Sequence, residues 1–200
     1  GLGDVYKRQP VACAFGVDTQ FIGRGRLPQR PITPYLEEFP KHGVSFEYNN
    51  TMPFSTNGKL TGGKFYVDGG ISSQFITGLL FALPLLEEDS EIILTSHLES
   101  KPYVDITLGT LREHGCQVAE TENGYFVKGG QHYMPFSGRV EGDYSQAAFF
   151  KVANSLGSDI DIAGLSEKSF QGDKKIVEIC EKIVYNKNGG LQPFDHDCSD

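Results

Sequence analysis

One stretch of this chain, Ser73 to Leu86, is apolar on nearly every side of a helical wheel, and that limits what can surround it. A helix without a polar face must be packed all round, so this one belongs inside a shell of other elements. Its neighbours in sequence supply the shell. Lys64-Phe65-Tyr66-Val67-Asp68 has strand character and is broken by Gly69-Gly70, and Glu91 to Ser96 reads as a second strand. Pro102 to His114 reads as a second helix, with Val104, Thr107, Leu108 and Leu111 on one face, Pro102 in its first turn and Gly115 as its stop. Cys116 to Thr121 and Tyr125 to Lys128 form a hairpin through Glu122-Asn123-Gly124. The order is β-α-β-α-β-β.

That order starts again further on. Arg139-Val140-Glu141 precedes Gly142-Asp143-Tyr144-Ser145-Gln146 and an apolar helix to about Leu156. A strand is expected over Asp159 to Ala163, then Ser169-Phe170-Gln171-Gly172-Asp173 and a helix to about Tyr185. Ser73-Gln74 and Ser145-Gln146 lie 72 positions apart in equivalent places. An earlier, partial copy is expected in a helix Pro34 to His42 and strands Val44 to Tyr48 and Phe54 to Leu60. A repeat of this length builds domains, whereas solenoid periods run from about twenty to fifty residues. The fold class is therefore α/β (α+β): repeated β-α-β-α-β-β units with buried helices.

Two hundred residues accommodate one domain or a piece of two. A net charge of −8 argues against a general nucleic-acid binder while leaving room for a small anionic ligand held by a few placed cations. The longest apolar run, Phe75 to Leu86, is interrupted by Thr77, Gly78 and Pro84 and is too short to span a bilayer. Cys13, Cys116, Cys180 and Cys198 form no C-x-x-C pair, which fits free thiols in a reducing compartment better than a disulfide framework. Asp195-His196-Asp197-Cys198-Ser199-Asp200 has metal-ligand residue types but no partner cluster, and reads as a solvated loop. Gly1 to Gln9 has neither helical nor strand periodicity and is expected to be a non-native leader; the last residue falls in mid-loop, so both ends read as cut.

Chemistry concentrates ahead of the two helices of the clearest unit. Gly69-Gly70-Ile71-Ser72-Ser73-Gln74 and, further on, Ser100-Lys101-Pro102-Tyr103 each place hydroxyls and free backbone N–H groups at a helix start. The first four helical N–H groups have no internal partner, and the helix dipole favours negative charge there. Ser72 and Ser100 would also serve as plain N-caps, which need no ligand. Two serines and a glutamine after two glycines, however, leave donors to spare. Arg30, ahead of Pro31, has the planar fork that suits a carboxylate or phosphate, with Arg26 as a supporting charge. Lys101 reads as a solvated charge. His42, His97, His114, His132 and His196 form no triad-like pattern; His42 and His114 each end a helix before glycine, where a cation suits the dipole. Gly62-Gly63 and Gly129-Gly130 lack the spacing of a nucleotide loop.

These segments together resemble the 5-enolpyruvylshikimate-3-phosphate synthase family. The resemblance runs from Pro10 to Asp200 through six segments in order: Arg26-Leu27-Pro28-Gln29-Arg30-Pro31-Ile32, Ser72-Ser73-Gln74-Phe75, Ser100-Lys101-Pro102-Tyr103-Val104-Asp105, Lys128-Gly129-Gly130-Gln131, Val140-Glu141-Gly142-Asp143, and Gln171-Gly172-Asp173. It implies transfer of the enolpyruvyl group of phosphoenolpyruvate to the 5-hydroxyl of shikimate 3-phosphate, in aromatic amino acid biosynthesis, without metal or redox cofactor. It implies two similar domains of three units each around a substrate cleft, so that residues 10–139 would form most of the shikimate 3-phosphate side and residues 140–200 the start of the second domain. Shikimate 3-phosphate is assigned to Ser72, Ser73, Gln74, Ser100 and Tyr103, and phosphoenolpyruvate to Arg30 and Gln74. The resemblance also implies a cytoplasmic protein, monomeric at full length, with neither nucleic acid nor membrane as partner.

Members of that family are more than twice this long. A Gly-Ser/Thr-x-x-Arg loop is expected before Val11, and an acid/base Asp soon after Asp200. No catalytic residue is therefore assigned within these 200 positions, and the piece is expected to be inactive alone. The rival readings are a UDP-N-acetylglucosamine enolpyruvyl transferase, which shares the architecture, and a non-catalytic anion-binding module.

Overall fold

In the computed structural model, residues 2–182 are described. By its contacts the chain divides into two units, Gly1–Phe136 and Ser137–Asp200. In the first, helix α1 (Leu2–Ala14) leads to strand β1 (Thr19–Phe21), helix α2 (Thr33–Glu38), and strands β2 (Val44–Glu47) and β3 (Phe54–Gly58). These strands form an antiparallel sheet in the order β1-β3-β2. The expected helix Pro34 to His42 is split into α2 and a 3₁₀ turn, Phe39–His42, because Pro40 has no N–H to continue the helical ladder. The turn ends at Gly43, and His42 is buried with its ring nitrogens 3.2 Å from the Gly62 carbonyl and 3.1 Å from that of Lys64.

The complete unit follows as β4 (Gly63–Val67), α3 (Ser73–Ala82), β5 (Ser90–Leu94), α4 (Lys101–Glu113), β6 (Val118–Thr121) and β7 (Gly124–Val127). Its sheet has the order β4-β5-β7-β6, with β4 and β5 parallel and the rest antiparallel. Alternation puts Phe65 and Val67 of β4, Ile92 of β5 and Tyr125 and Val127 of β7 on the buried face. The hairpin closes where Gly124 passes Ile92; a Cβ there would lie 1.9 Å from the Ile92 carbonyl oxygen, so no other residue fits. Helix α3 is buried all round, with Phe75, Ile76, Leu79 and Leu80 inside, and Val104, Leu108 and Leu111 of α4 join the same core.

Helix α1 departs from the reading of the first residues in one respect, their lack of regular structure: the chain is helical from Leu2. The segment is helical because Val5, Tyr6, Gln9, Cys13 and Ala14 make a buried stripe that packs on α3. Pro10 lies inside this helix and cannot donate to the Tyr6 carbonyl one turn back. The Tyr35 hydroxyl replaces that donor, 2.7 Å from Tyr6 O and 2.9 Å from Phe75 O. Gly78 of α3 sits at this crossing, where a Cβ would come within 2.3 Å of Tyr6 O.

In the second unit, α5 (Tyr144–Ser155) and α6 (Lys175–Lys182) are joined by irregular chain that ends in a 3₁₀ turn, Gly172–Lys174. The strand expected over Asp159 to Ala163 is not formed among the described residues. The Ile160 backbone instead bonds the Asn154 side chain, with its N–H on Oδ1 at 2.9 Å and its carbonyl accepting from Nδ2 at 2.8 Å. The close of the second helix near Tyr185 and the Asp195–Asp200 cluster lie outside the described residues. Cys13, Cys116 and Cys180 are free thiols; burial pushes Cys13 up to about 11 and raises Cys116.

Candidate functional site

A cleft of about 590 Å³ opens where α3 and α4 begin. Its rim is set by the turn after β4. The Asp68 carboxylate accepts from the Gly70 N–H at 2.8 Å and from the Ser96 hydroxyl, and the Ser96 oxygen lies 3.2 Å from the same N–H. These bonds, the one from Ser96 foremost, hold the Asp68 carboxyl below the usual carboxylate range. A turn fixed at Asp68 and Ser96 aims the following residues into the cleft.

Ser72 stands in extended conformation at the N-cap of α3, and its oxygen accepts from the Gln74 N–H at 3.3 Å. Capping uses the oxygen as acceptor and leaves the hydroxyl proton for another partner. The Ser73 hydroxyl has no hydrogen-bond partner among the described residues. Gln74 Oε1 is buried and likewise has none. An unpaired buried amide oxygen costs on the order of 1–3 kcal/mol, which a ligand donor would recover.

Across the cleft, Ser100 occupies the N-cap position of α4, yet its side chain makes no cap bond. The plain capping role that sequence allows for both serines is thus realised at Ser72 only. Tyr103, about half exposed, lies in the first turn of α4 and lines the same cleft. All five residues assigned to shikimate 3-phosphate are therefore brought to one concavity. Thr77 and Thr107 are also part of its lining, as are the apolar Phe81 and Ile106.

Arg30 is not part of this lining. It lies exposed after a 3₁₀ turn, Leu27–Gln29, beside Tyr6. Burial raises the Tyr6 phenol, and the Arg30 guanidinium opposes that shift. Lys101 is turned to Asp105 at 2.6 Å and Glu120 at 3.5 Å, which keeps it out of the cleft, in agreement with its reading as a surface charge. The charged residues that do line the cleft are Lys7 and Glu99. Sequence reasoning missed Lys7 because the segment shows no periodicity and becomes helical only by docking on α3. Among the described residues no group of three or more His, Cys, Asp or Glu side chains could hold a metal ion. No helix among them is long and apolar enough to cross a membrane.

Comparison with known proteins identifies the family of the chain. The sequence model of the EPSP synthase family (3-phosphoshikimate 1-carboxyvinyltransferase) matches residues 9–189. A 3-phosphoshikimate 1-carboxyvinyltransferase from Clostridium perfringens (strain ATCC 13124) is 48% identical over 188 residues, which is 91% of this chain and 44% of that protein. One from Clostridium beijerinckii is 42% identical over 187 residues, 91% of this chain and 43% of the relative. The EPSP synthase of Acinetobacter baumannii superposes with a TM-score of 0.74 at 20% identity, covering 90% of this chain and 40% of that one, a likeness of fold. This chain thus spans rather less than half the length of the proteins it matches. Over nearly all of its own length, it belongs to the EPSP synthase family.

Proposed function

We propose that this chain forms the shikimate 3-phosphate wall of a 3-phosphoshikimate 1-carboxyvinyltransferase. The observation that carries the reading is the convergence of Ser72, Ser73, Gln74, Ser100 and Tyr103 on one cleft, with Gln74 Oε1 buried and without a donor among the described residues. The hydroxyls of Ser72, Ser73 and Ser100 donate to the phosphate, helped by the N-terminal ends of α3 and α4. Gln74 Oε1 accepts from a hydroxyl of the bound ring, and Tyr103 packs against that ring. Arg30, outside this cleft, serves phosphoenolpyruvate together with Gln74.

In the whole protein the phosphoenolpyruvate methylene gains a proton as the 5-hydroxyl oxygen bonds to the adjacent carbon and gives up its own proton. The tetrahedral adduct then loses phosphate and one methyl proton, which restores the vinyl group. General acid–base groups carry these transfers. In this reading residues 10–139 belong to the first domain, residues 140–200 begin the second, and the protein works as a cytoplasmic monomer.

Titration calorimetry of the 200-residue chain with shikimate 3-phosphate tests the reading. Removing two charge-assisted or buried hydrogen bonds in Ser73→Ala/Gln74→Ala should weaken binding about ten- to a hundredfold. Equal binding by the wild type and the double variant would overturn the assignment.

A further inference from the structure

Two helix starts make one anion site only if their spacing is held, and the floor of the cleft contains a device that holds it. Thr77 of α3 and Thr107 of α4 are buried, and their hydroxyl oxygens lie 3.0 Å apart. Thr107 also donates to the Tyr103 carbonyl one turn back, at 3.2 Å. A hydroxyl has one proton, so with that of Thr107 placed on Tyr103 the bridging proton must come from Thr77. The two bonds link Thr77 through Thr107 to the first turn of α4. Threonine inside a helix ordinarily bonds back to its own helix, as Thr110 does to Ile106 at 2.9 Å. Thr77 reaches across instead.

We infer that Thr77 and Thr107 are a positioning pair that fixes the separation of Ser73–Gln74 from Ser100–Tyr103, and so sets the affinity of the cleft for its phosphorylated ligand. The inference rests on the reading of the cleft as a shikimate 3-phosphate site. Thr77 lies one turn, roughly 6 Å, below Ser73 along α3, and Thr107 the same distance below Tyr103 along α4. A tie so near both starts limits sliding and splaying of those turns. The bridging hydroxyl also cannot wander, because both threonines are enclosed by the core beneath the cleft.

The test compares affinity with stability. Thr77→Val keeps the shape and removes the donor; Thr77→Ser keeps the donor. Ile92→Val, a core truncation in β5 remote from the cleft lining, matches the expected loss of stability. Shikimate 3-phosphate and inorganic phosphate are titrated into each 200-residue variant alongside thermal unfolding. Thr77→Val should lose about three- to tenfold in affinity for shikimate 3-phosphate, while Thr77→Ser and Ile92→Val stay within about twofold of wild type. Should Thr77→Val fail to fold, Thr107→Val carries the same comparison. Affinity unchanged in the valine variant, or lost equally in Ile92→Val, overturns the positioning role. A wild type that takes phosphate but not shikimate 3-phosphate overturns the functional reading alone, and the phosphate titrations then decide on the bridge by the same criteria. A wild type that takes neither overturns both.

Discussion

At the start of α3, Ser72 caps the helix, and the Ser73 hydroxyl and Gln74 Oε1 have no hydrogen-bond partner among the described residues; the same holds for the Ser100 hydroxyl at the start of α4, on the same cleft. At the start of α5, Ser145-Gln146, 72 positions after Ser73-Gln74, follows Asp143-Tyr144, and Asp143 takes the N-cap place that Ser72 holds in α3. There the Asp143 carboxylate accepts from the N–H groups of Ser145 at 2.8 Å and Gln146 at 3.4 Å. The Ser145 hydroxyl donates to Asp173, and the Tyr144 N–H to Gln171 Oε1 at 2.8 Å. Gln171 in turn donates to Glu141 and to the Gly142 carbonyl, each at 2.9 Å. Repeating a Ser-Gln helix start therefore does not repeat a binding site. A helix N-terminus is open to an external anion where the chain leaves donors unengaged, and closed where it brings its own carboxylates.

The two helices differ in the same sense. Phe75 of α3 is 1% exposed and Phe149 of α5 is 74% exposed, although both follow a Ser-Gln start. The largest expected effect is on stability. Phe75→Ala should cost about 3–5 kcal/mol in urea unfolding, and Phe149→Ala within about 0.5 kcal/mol. A comparable cost at Phe149 would show that the outer face of α5 is packed in solution, and would remove this half of the contrast.

Smaller effects separate capping from binding. Ser72→Ala and Asp143→Ala should each cost about 1 kcal/mol, because each removes an N-cap acceptor. Ser100→Ala should leave stability nearly unchanged, since Ser100 makes no cap bond, and lower affinity for shikimate 3-phosphate instead. Thermal unfolding and calorimetry on the three variants check both. A stability loss at Ser100 equal to that at Ser72 would mean that it caps α4 after all.

Much of the complete unit was legible because its signals are local. The all-round apolar pattern of α3, the Gly69-Gly70 break, Pro102 in the first turn of α4 and Gly124 in the hairpin each act within a few residues. Their position at two helix starts made Ser72, Ser73, Gln74, Ser100 and Tyr103 legible as residues of one anion-binding region, and all five line one cleft. What escaped depends on contacts distant in sequence. Helix α1 contains glycine and proline and owes its form to docking on α3, with Tyr35 supplying the donor that Pro10 lacks. Lys7 reached the cleft by the same route. Thr77 shows only as a polar interruption of an apolar run, and its partner lies thirty residues away. The strand expected at Asp159 to Ala163 failed for a matching reason: β-structure needs a neighbouring strand, and here the Asn154 side chain takes both backbone groups of Ile160.

The central claim is that the loop before α3 is open to a phosphorylated ligand and the loop before α5 is closed to it. Amide chemical-shift mapping of the ¹⁵N-labelled chain during titration with shikimate 3-phosphate tests this most directly. The account predicts saturable shifts at Gly69, Gly70, Ser72, Ser73, Gln74, Ser100 and Tyr103, with Ser145 and Gln146 unmoved. Equal shifts at both helix starts, or shifts at Ser145 and Gln146 alone, would contradict it.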